Sequence, residues 1–125
     1  MREIKFRGYN KKEKKWSYGL IVDIVGKYAQ MCPSDTHGSV VVPVKTIGQY
    51  TGHKDKNGKE IYEGDIVKDT GDYNFYKVVE WDEFRASFIG RIANCDDTQM
   101  VWAHHWIVVG NIYENPEILI EEQGK

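Results

Sequence analysis

The sequence contains little that would cross-link, export or anchor it. Its 125 residues include only 2 Cys and 3 Pro, and its formal net charge is -2. Cys32 and Cys95 lie in no Cys-x-x-Cys pair and give no disulfide framework of the kind that small secreted domains need. No apolar run reaches the length of a membrane span or of the core of a signal peptide. We therefore expect a cytoplasmic protein that does not bind membranes.

The small net charge conceals an uneven distribution along the chain. Residues 1–15 carry seven Lys or Arg against two Glu, whereas the last twelve residues carry four Glu against Lys125. The densest basic cluster precedes Trp16 and consists of Lys11, Lys12, Lys14 and Lys15. Lysines beside an aromatic ring can contact phosphates and stack on bases, but they can equally form a solvated loop that keeps a hairpin from aggregating. The sequence leaves both interpretations open.

Alternation of apolar and polar residues dominates the chain and predicts strands. One face of the long run after Lys15 carries Trp16, Tyr18, Leu20, Val22 and Ile24, which predicts a hairpin with one buried face. Later short runs at 75–81, 87–92, 100–104 and 106–113 are separated by turn signals, and the apolar run at 106–110 is typical of a central strand. We therefore predict an all-β, mainly antiparallel fold with an N-terminal hairpin, a C-terminal SH3-like partly open barrel and at most one short helix.

The length fits a single domain. Within residues 1–125 we expect a hairpin region over about 1–45, a barrel-like region over about 46–116 and an acidic tail over 117–125.

The block Ile47 to Val67 concentrates turn signals between two apolar runs. Asn57-Gly58 predicts a tight type I′ turn, because these residue types best tolerate positive φ at both central positions. The segment Gly52 to Lys59 superficially resembles a phosphate-binding loop, but it has five residues between its glycines where the motif needs four, and Glu60 follows its lysine. Acidic neighbours would also repel an anion. We therefore predict no nucleotide cofactor.

Residues that could carry catalysis or hold a metal are not arranged to do so. His104 and His105 are adjacent on a predicted strand, so their side chains should point to opposite faces. His37 and His53 lie in predicted loops without ligand spacing, and no Ser or Cys stands in a nucleophile motif. We predict no catalytic residue, no metal and no cofactor.

Several separated blocks give the chain a family resemblance that covers nearly its whole length. The blocks are Arg2 to Arg7, Ile47 to Gly52, Asp55 to Val67, Val79 to Asp82 and Gly110 to Glu117. Together and in this order they resemble the YopX family of phage and prophage proteins. The resemblance implies a small, mostly β protein in the cytoplasm of the host bacterial cell, with a tendency to self-associate and no activity or catalytic residues to carry over.

The leading functional hypothesis is a non-catalytic accessory protein that binds a host or phage protein or assembles with itself. Aromatic residues in excess of what a small core needs would suit such contacts. The residues predicted for the functional surface are the polar and aromatic members of the central block: Gln49, Tyr50, Asp55, Tyr62, Glu63 and Asp65. The alternative hypothesis is a nucleic-acid-binding protein that uses the basic hairpin Arg2 to Lys15 together with Tyr9 and Trp16.

Overall fold

Antiparallel strands form most of the regular structure in a computed structural model of the protein. The structure describes residues 3–35, 38–70, 75–92 and 97–119, with the backbone alone at 97–99 and 101. The chain divides into two compact units, residues 1–50 and 51–125. The predicted all-β fold is confirmed. That the units act as one domain with a boundary near residue 46 stays a prediction.

The first unit is an antiparallel sheet. Its strands are β1 (Phe6–Asn10), β2 (Lys15–Val25), β3 (Tyr28–Pro33), β4 (Val40–Pro43) and the start of β5 (Gly48–Lys54), with a 3-10 helix at Val44–Thr46 before β5. The strand order is β4-β3-β2-β1-β5. β1 and β2 form the predicted hairpin, in a register that runs from Phe6 opposite Gly19 to Asn10 opposite Lys15.

The first sheet buries the face opposite to the one predicted from β2. Its core consists of Ala29, Met31 and Val42. Ile21 lies opposite Met31 and packs against this core, so the alternate residues Tyr18 and Leu20 point away from it. The predicted alternation holds from Trp16 to Leu20 and is broken by a bulge at Val22, and the prediction that this face is buried is wrong. Alternation shows which residues share a face, whereas burial depends on what packs there.

The second unit contains the rest of β5, which pairs with β6 (Glu60–Tyr62), and a five-stranded sheet. That sheet contains β7 (Asp65–Asp69), β8 (Tyr76–Asp82), β9 (Ser87–Arg91), β10 (Asp97–Gln99) and β11 (Trp106–Asn111) in the order β10-β9-β8-β7-β11. A 3-10 helix at Met100–His105 precedes β11, and residues 117–119 are helical. The SH3-like character of this unit stays a prediction.

Two of the strand assignments in this unit were wrong. Residues 100–104 form the 3-10 helix instead of a strand. β11 lies at one edge of its sheet instead of the centre. Its apolar residues are explained by the core of the unit, in which Trp106 is fully buried among Ile61, Val67, Val79, Met100 and Ala103.

The turn at Asn57-Gly58 connects β5 and β6, as a hairpin prediction requires. Gly58 has a φ of 84°, but Asn57 does not have a positive φ. The Gly58 N–H donates to the Asp55 carbonyl (3.0 Å), and the Asp55 N–H donates to the Lys59 carbonyl (2.8 Å). This pattern indicates a type I turn followed by a bulge at a left-handed glycine, so the predicted type I′ turn was wrong while the hairpin was right.

Gly90 on β9 makes room for the Trp106 ring, and this close approach gives a prediction. A Cβ at position 90 would lie 2.8 Å from Trp106 Cη2. We expect Gly90→Ala to lower the free energy of unfolding by about 1–3 kcal/mol, because a rigid buried ring must shift to accept the methyl group. Denaturant unfolding measures the change, with Ser87→Ala on the same strand as control. An unchanged midpoint for Gly90→Ala would contradict this account of the core.

Candidate functional site

The outer face of the first sheet carries a group of exposed apolar side chains. We use "outer face" for Tyr18, Leu20, Val22, Val25, Tyr28 and Val41. They lie on β2, β3 and β4, where Val25 is directly opposite Tyr28, while Leu20 lies opposite Cys32 and Val41 opposite Gln30. Exposed Asp23 pairs with Gln30, so polar side chains share this face with the apolar ones. Each of the six is between 43% and 72% exposed.

A β-bulge helps to build this face. The register of β2 against β3 shifts between Ile21 and Asp23, so that Val22 is the additional residue. A bulge changes the alternation of side chains beyond it. As a result Val25 lies opposite exposed Tyr28, whereas Ile24, predicted for the same face as Leu20, lies opposite buried Ala29.

The exposed area of the outer face is comparable to that of a protein–protein contact surface. At these exposures the six residues together present on the order of 600 Å² to solvent, an area as large as the largest apolar patch of a typical monomer, although Asp23 and Gln30 lie among them. Specific interfaces bury about 800 Å² per partner. The outer face could therefore supply most of one interface, and it does so on hydrogen-bonded strands that need little ordering on binding.

A groove lies next to one end of the outer face. It has a volume of about 480 Å³ and is lined by Gly26, Lys27, Tyr28, Pro43, Val44 and Lys45. Tyr28 and Pro43 are cross-strand partners on β3 and β4, and Tyr28 also belongs to the outer face. The walls are apolar, and the two lysines are exposed.

The structure places the predicted basic cluster at the turn between β1 and β2. Lys11, Lys12, Lys14 and Lys15 are all exposed there, while Arg2 lies outside the described residues. Trp16 is half-buried, with the Arg7 guanidinium 4.2 Å from its ring centre and the Tyr9 ring 4.8 Å away. Tyr9 is only 5% exposed. The lysines are thus accessible, but Tyr9 is already packed and Trp16 partly so.

The predicted functional surface of the central block is largely interior. Tyr50, Asp55, Tyr62 and Asp65 are buried, while Gln49 and Glu63 are half-buried. The expectation that Asp55 and Asp65 are exposed was wrong. Asp65 Oδ2 accepts a hydrogen bond from the Tyr62 N–H at 2.8 Å, which closes the turn through Gly64. A functional role for these six residues stays a prediction.

Asp55 binds backbone groups from two parts of the second unit. Its Oδ1 accepts the N–H groups of Asn57 (2.9 Å) and Lys59 (2.8 Å), and its Oδ2 accepts that of Val108 (2.9 Å). The Lys56 N–H also donates to the Trp106 carbonyl at 2.8 Å. The hairpin loop therefore covers part of the β11 edge, which would otherwise present unpaired backbone groups.

The histidines are placed differently from the prediction. His104 and His105 lie on the 3-10 helix and not on a strand. Their side chains do not point to opposite faces, since their ring centres are 4.1 Å apart. Among the described residues, no group of three or more His, Cys, Asp or Glu is placed to hold a metal ion. His37 lies outside that range.

One exposed feature had no counterpart in the sequence analysis. Phe84, at the turn between β8 and β9, is 99% exposed. Asp82 Oδ1 accepts the N–H groups of Phe84 (2.9 Å) and Arg85 (3.3 Å), and Asp82 Oδ2 lies 2.9 Å from Arg85 Nη1. We call residues 82–86 the Phe84 tip. The signal in the sequence was an aromatic residue inside a polar turn, Asp82-Glu83-Phe84-Arg85.

The geometry around Asp55 predicts a structural role for its carboxylate. We expect Asp55→Ala to lower the free energy of unfolding by about 3 kcal/mol, because it leaves three partly buried N–H donors without their charged acceptor. Asp23→Ala is the matched control, since the exposed Asp23 carboxylate accepts only the Ile24 N–H among the hydrogen bonds that the structure shows for it. Equal losses for the two variants, measured by denaturant unfolding, would show that the Asp55 hydrogen bonds do not stabilise the unit.

No helix in the described part of the chain is both long and apolar enough to cross a membrane.

Comparison with known proteins identifies the family. The chain is similar in fold to protein EF1440 from Enterococcus faecalis, with a TM-score of 0.63 and 22% sequence identity over 95% of this chain and 99% of that one. At that identity the likeness shows the fold alone. No curated protein matches the chain. The YopX protein family matches residues 5–120, which is nearly the whole sequence, and the chain therefore belongs to the YopX family.

Proposed function

We propose that this YopX-family chain is a phage- or prophage-encoded accessory protein without catalytic activity, which acts by binding proteins, including further copies of itself. The observation that carries the proposal is the outer face of the first sheet. Its exposed aromatic and branched aliphatic side chains are of the kinds that form the buried centres of protein interfaces. The family membership and the resemblance to phage proteins favour the cytoplasm of a host bacterial cell as its place of action.

The energetics of the outer face suit a reversible complex. Burying about 600 Å² of apolar surface would gain about 15 kcal/mol at about 25 cal/mol per Å². Association costs about 4–15 kcal/mol in lost translational and rotational freedom, before side-chain ordering is counted. The difference is about 0–11 kcal/mol before side-chain ordering is subtracted, so the outer face can support a reversible complex that additional contacts would strengthen.

A second candidate function is nucleic-acid binding through the β1–β2 turn. Four exposed lysines on one turn favour it. The aromatic part of that hypothesis has less support, since Tyr9 is buried and the Trp16 ring already contacts Arg7 and Tyr9. Binding through this turn would therefore depend mainly on phosphate contacts and would weaken steeply with salt.

The proposal predicts that polar substitutions on the outer face reduce protein binding without unfolding the chain. We expect Leu20→Ser combined with Val22→Ser to weaken self-association by about tenfold or more, because it removes apolar surface from the middle of β2. Light scattering over a range of protein concentrations measures the mass. A tagged bait in infected cells measures the capture of host and phage proteins.

The matched control replaces Lys11, Lys12, Lys14 and Lys15 by Ser, which leaves the outer face intact. Unchanged mass and capture in the outer-face variant would contradict the proposal. Oligonucleotide binding that is lost in the lysine variant and falls sharply between about 50 and 200 mM salt would support the second candidate instead.

A further inference from the structure

The Phe84 tip has the properties of an anchor that is fixed before binding. Its ring is almost fully exposed, so it makes no appreciable packing contact within its own chain. The turn beneath it is held by the Asp82 carboxylate through two backbone N–H groups and the Arg85 side chain. Because the turn is already ordered, inserting the ring into a pocket would cost little conformational entropy. Aromatic residues of this kind are typical energetic centres of interfaces.

The groove beside the outer face has the size and lining to receive such a ring. Its volume of about 480 Å³ falls within the range of sites that enclose small molecules, which leaves ample room for one phenyl group. Pro43 and Val44 offer apolar walls, and the exposed Tyr28 ring offers an aromatic partner. Aromatic pairs gain about 0.5–1.5 kcal/mol beyond the area that they bury.

Charge favours a second copy of this chain as the occupant of the groove. Lys27 and Lys45 flank the groove. At the tip, Asp82 is paired with Arg85, so exposed Glu83 gives the turn its negative charge next to Phe84. The anchor and the groove thus carry opposite charges, and complementary charges favour the correct orientation of partners.

We propose that the Phe84 tip of one copy inserts into the groove of a second copy, with Glu83 facing Lys27 and Lys45. This contact rests on the proposed self-association and specifies one of its interfaces. The tip and the groove are different surfaces, so the contact is head-to-tail, and its repetition builds a closed ring or an open filament. Apart from Tyr28, which lines the groove, the outer face remains available for other contacts.

A charge-exchange experiment tests this contact with exposed residues only. We expect Phe84→Ser to weaken self-association by about tenfold or more, because it removes the anchor. Glu83→Lys should weaken it as well, and so should the double variant Lys27→Glu with Lys45→Glu. Mixing the Glu83→Lys chain with the double variant should restore assembly between unlike chains, because the tip of the first then matches the groove of the second. Sedimentation velocity on each variant and on the mixture measures the result.

The alternatives give different results. If Phe84→Ser leaves the mass unchanged while Leu20→Ser with Val22→Ser reduces it, the tip contact is wrong but the proposed function stands. If the unsubstituted chain remains monomeric at every concentration and a bait captures nothing, both are wrong. If Phe84→Ser removes a captured protein without changing the mass of the chain, the tip binds a foreign partner and the second-copy contact is overturned.

Discussion

The second unit depends on one buried carboxylate. Asp55 holds its own hairpin loop and the edge of β11 at once, because its two oxygens accept N–H groups from Asn57, Lys59 and Val108. A single residue thereby joins a local turn to a strand that follows about fifty residues later. β11 also carries Trp106, the largest fully buried side chain, so the same hydrogen bonds help to position the centre of the core. A fully buried donor without an acceptor costs about 1–3 kcal/mol, and these partly buried donors would cost less than that each.

The sequence predicted local features well where a local rule determines them. The β1–β2 hairpin and the turn at Gly58 follow from alternation and from the need for positive φ. It failed where distant residues decide. The buried face of β2 is determined by Met31 and its neighbours on β3, and the edge position of β11 by its pairing with β7 alone. Neither partner is visible in the periodicity of the strand itself.

The same distinction explains why the candidate functional residues changed. Asp55 and Asp65 were predicted for a functional surface, yet both are buried and accept backbone N–H groups of their own turns. Leu20 and Val22 were predicted to share a buried face of β2, yet both are exposed. The charge or hydrophobicity of a side chain indicates whether it is more stable in water or in the core. A candidate binding surface is found where the fold leaves apolar side chains exposed, and that depends on the tertiary structure. The likeness to protein EF1440 supports the all-β fold and carries no information on the role of these residues.

An exposed apolar sheet face would promote aggregation if strands of other chains could also pair with the sheet edge. The edge strand β4 is poorly suited to such pairing. β4 is only four residues long and ends at Pro43, which has no backbone N–H to donate to an added strand. Lys45 follows shortly after and adds charge next to the same edge. Strand addition at β4 is therefore disfavoured, whereas packing onto the outer face and insertion into the adjacent groove are not. These constraints favour the proposed side-chain contacts, which can be selective for shape and charge, over backbone pairing, which is not selective.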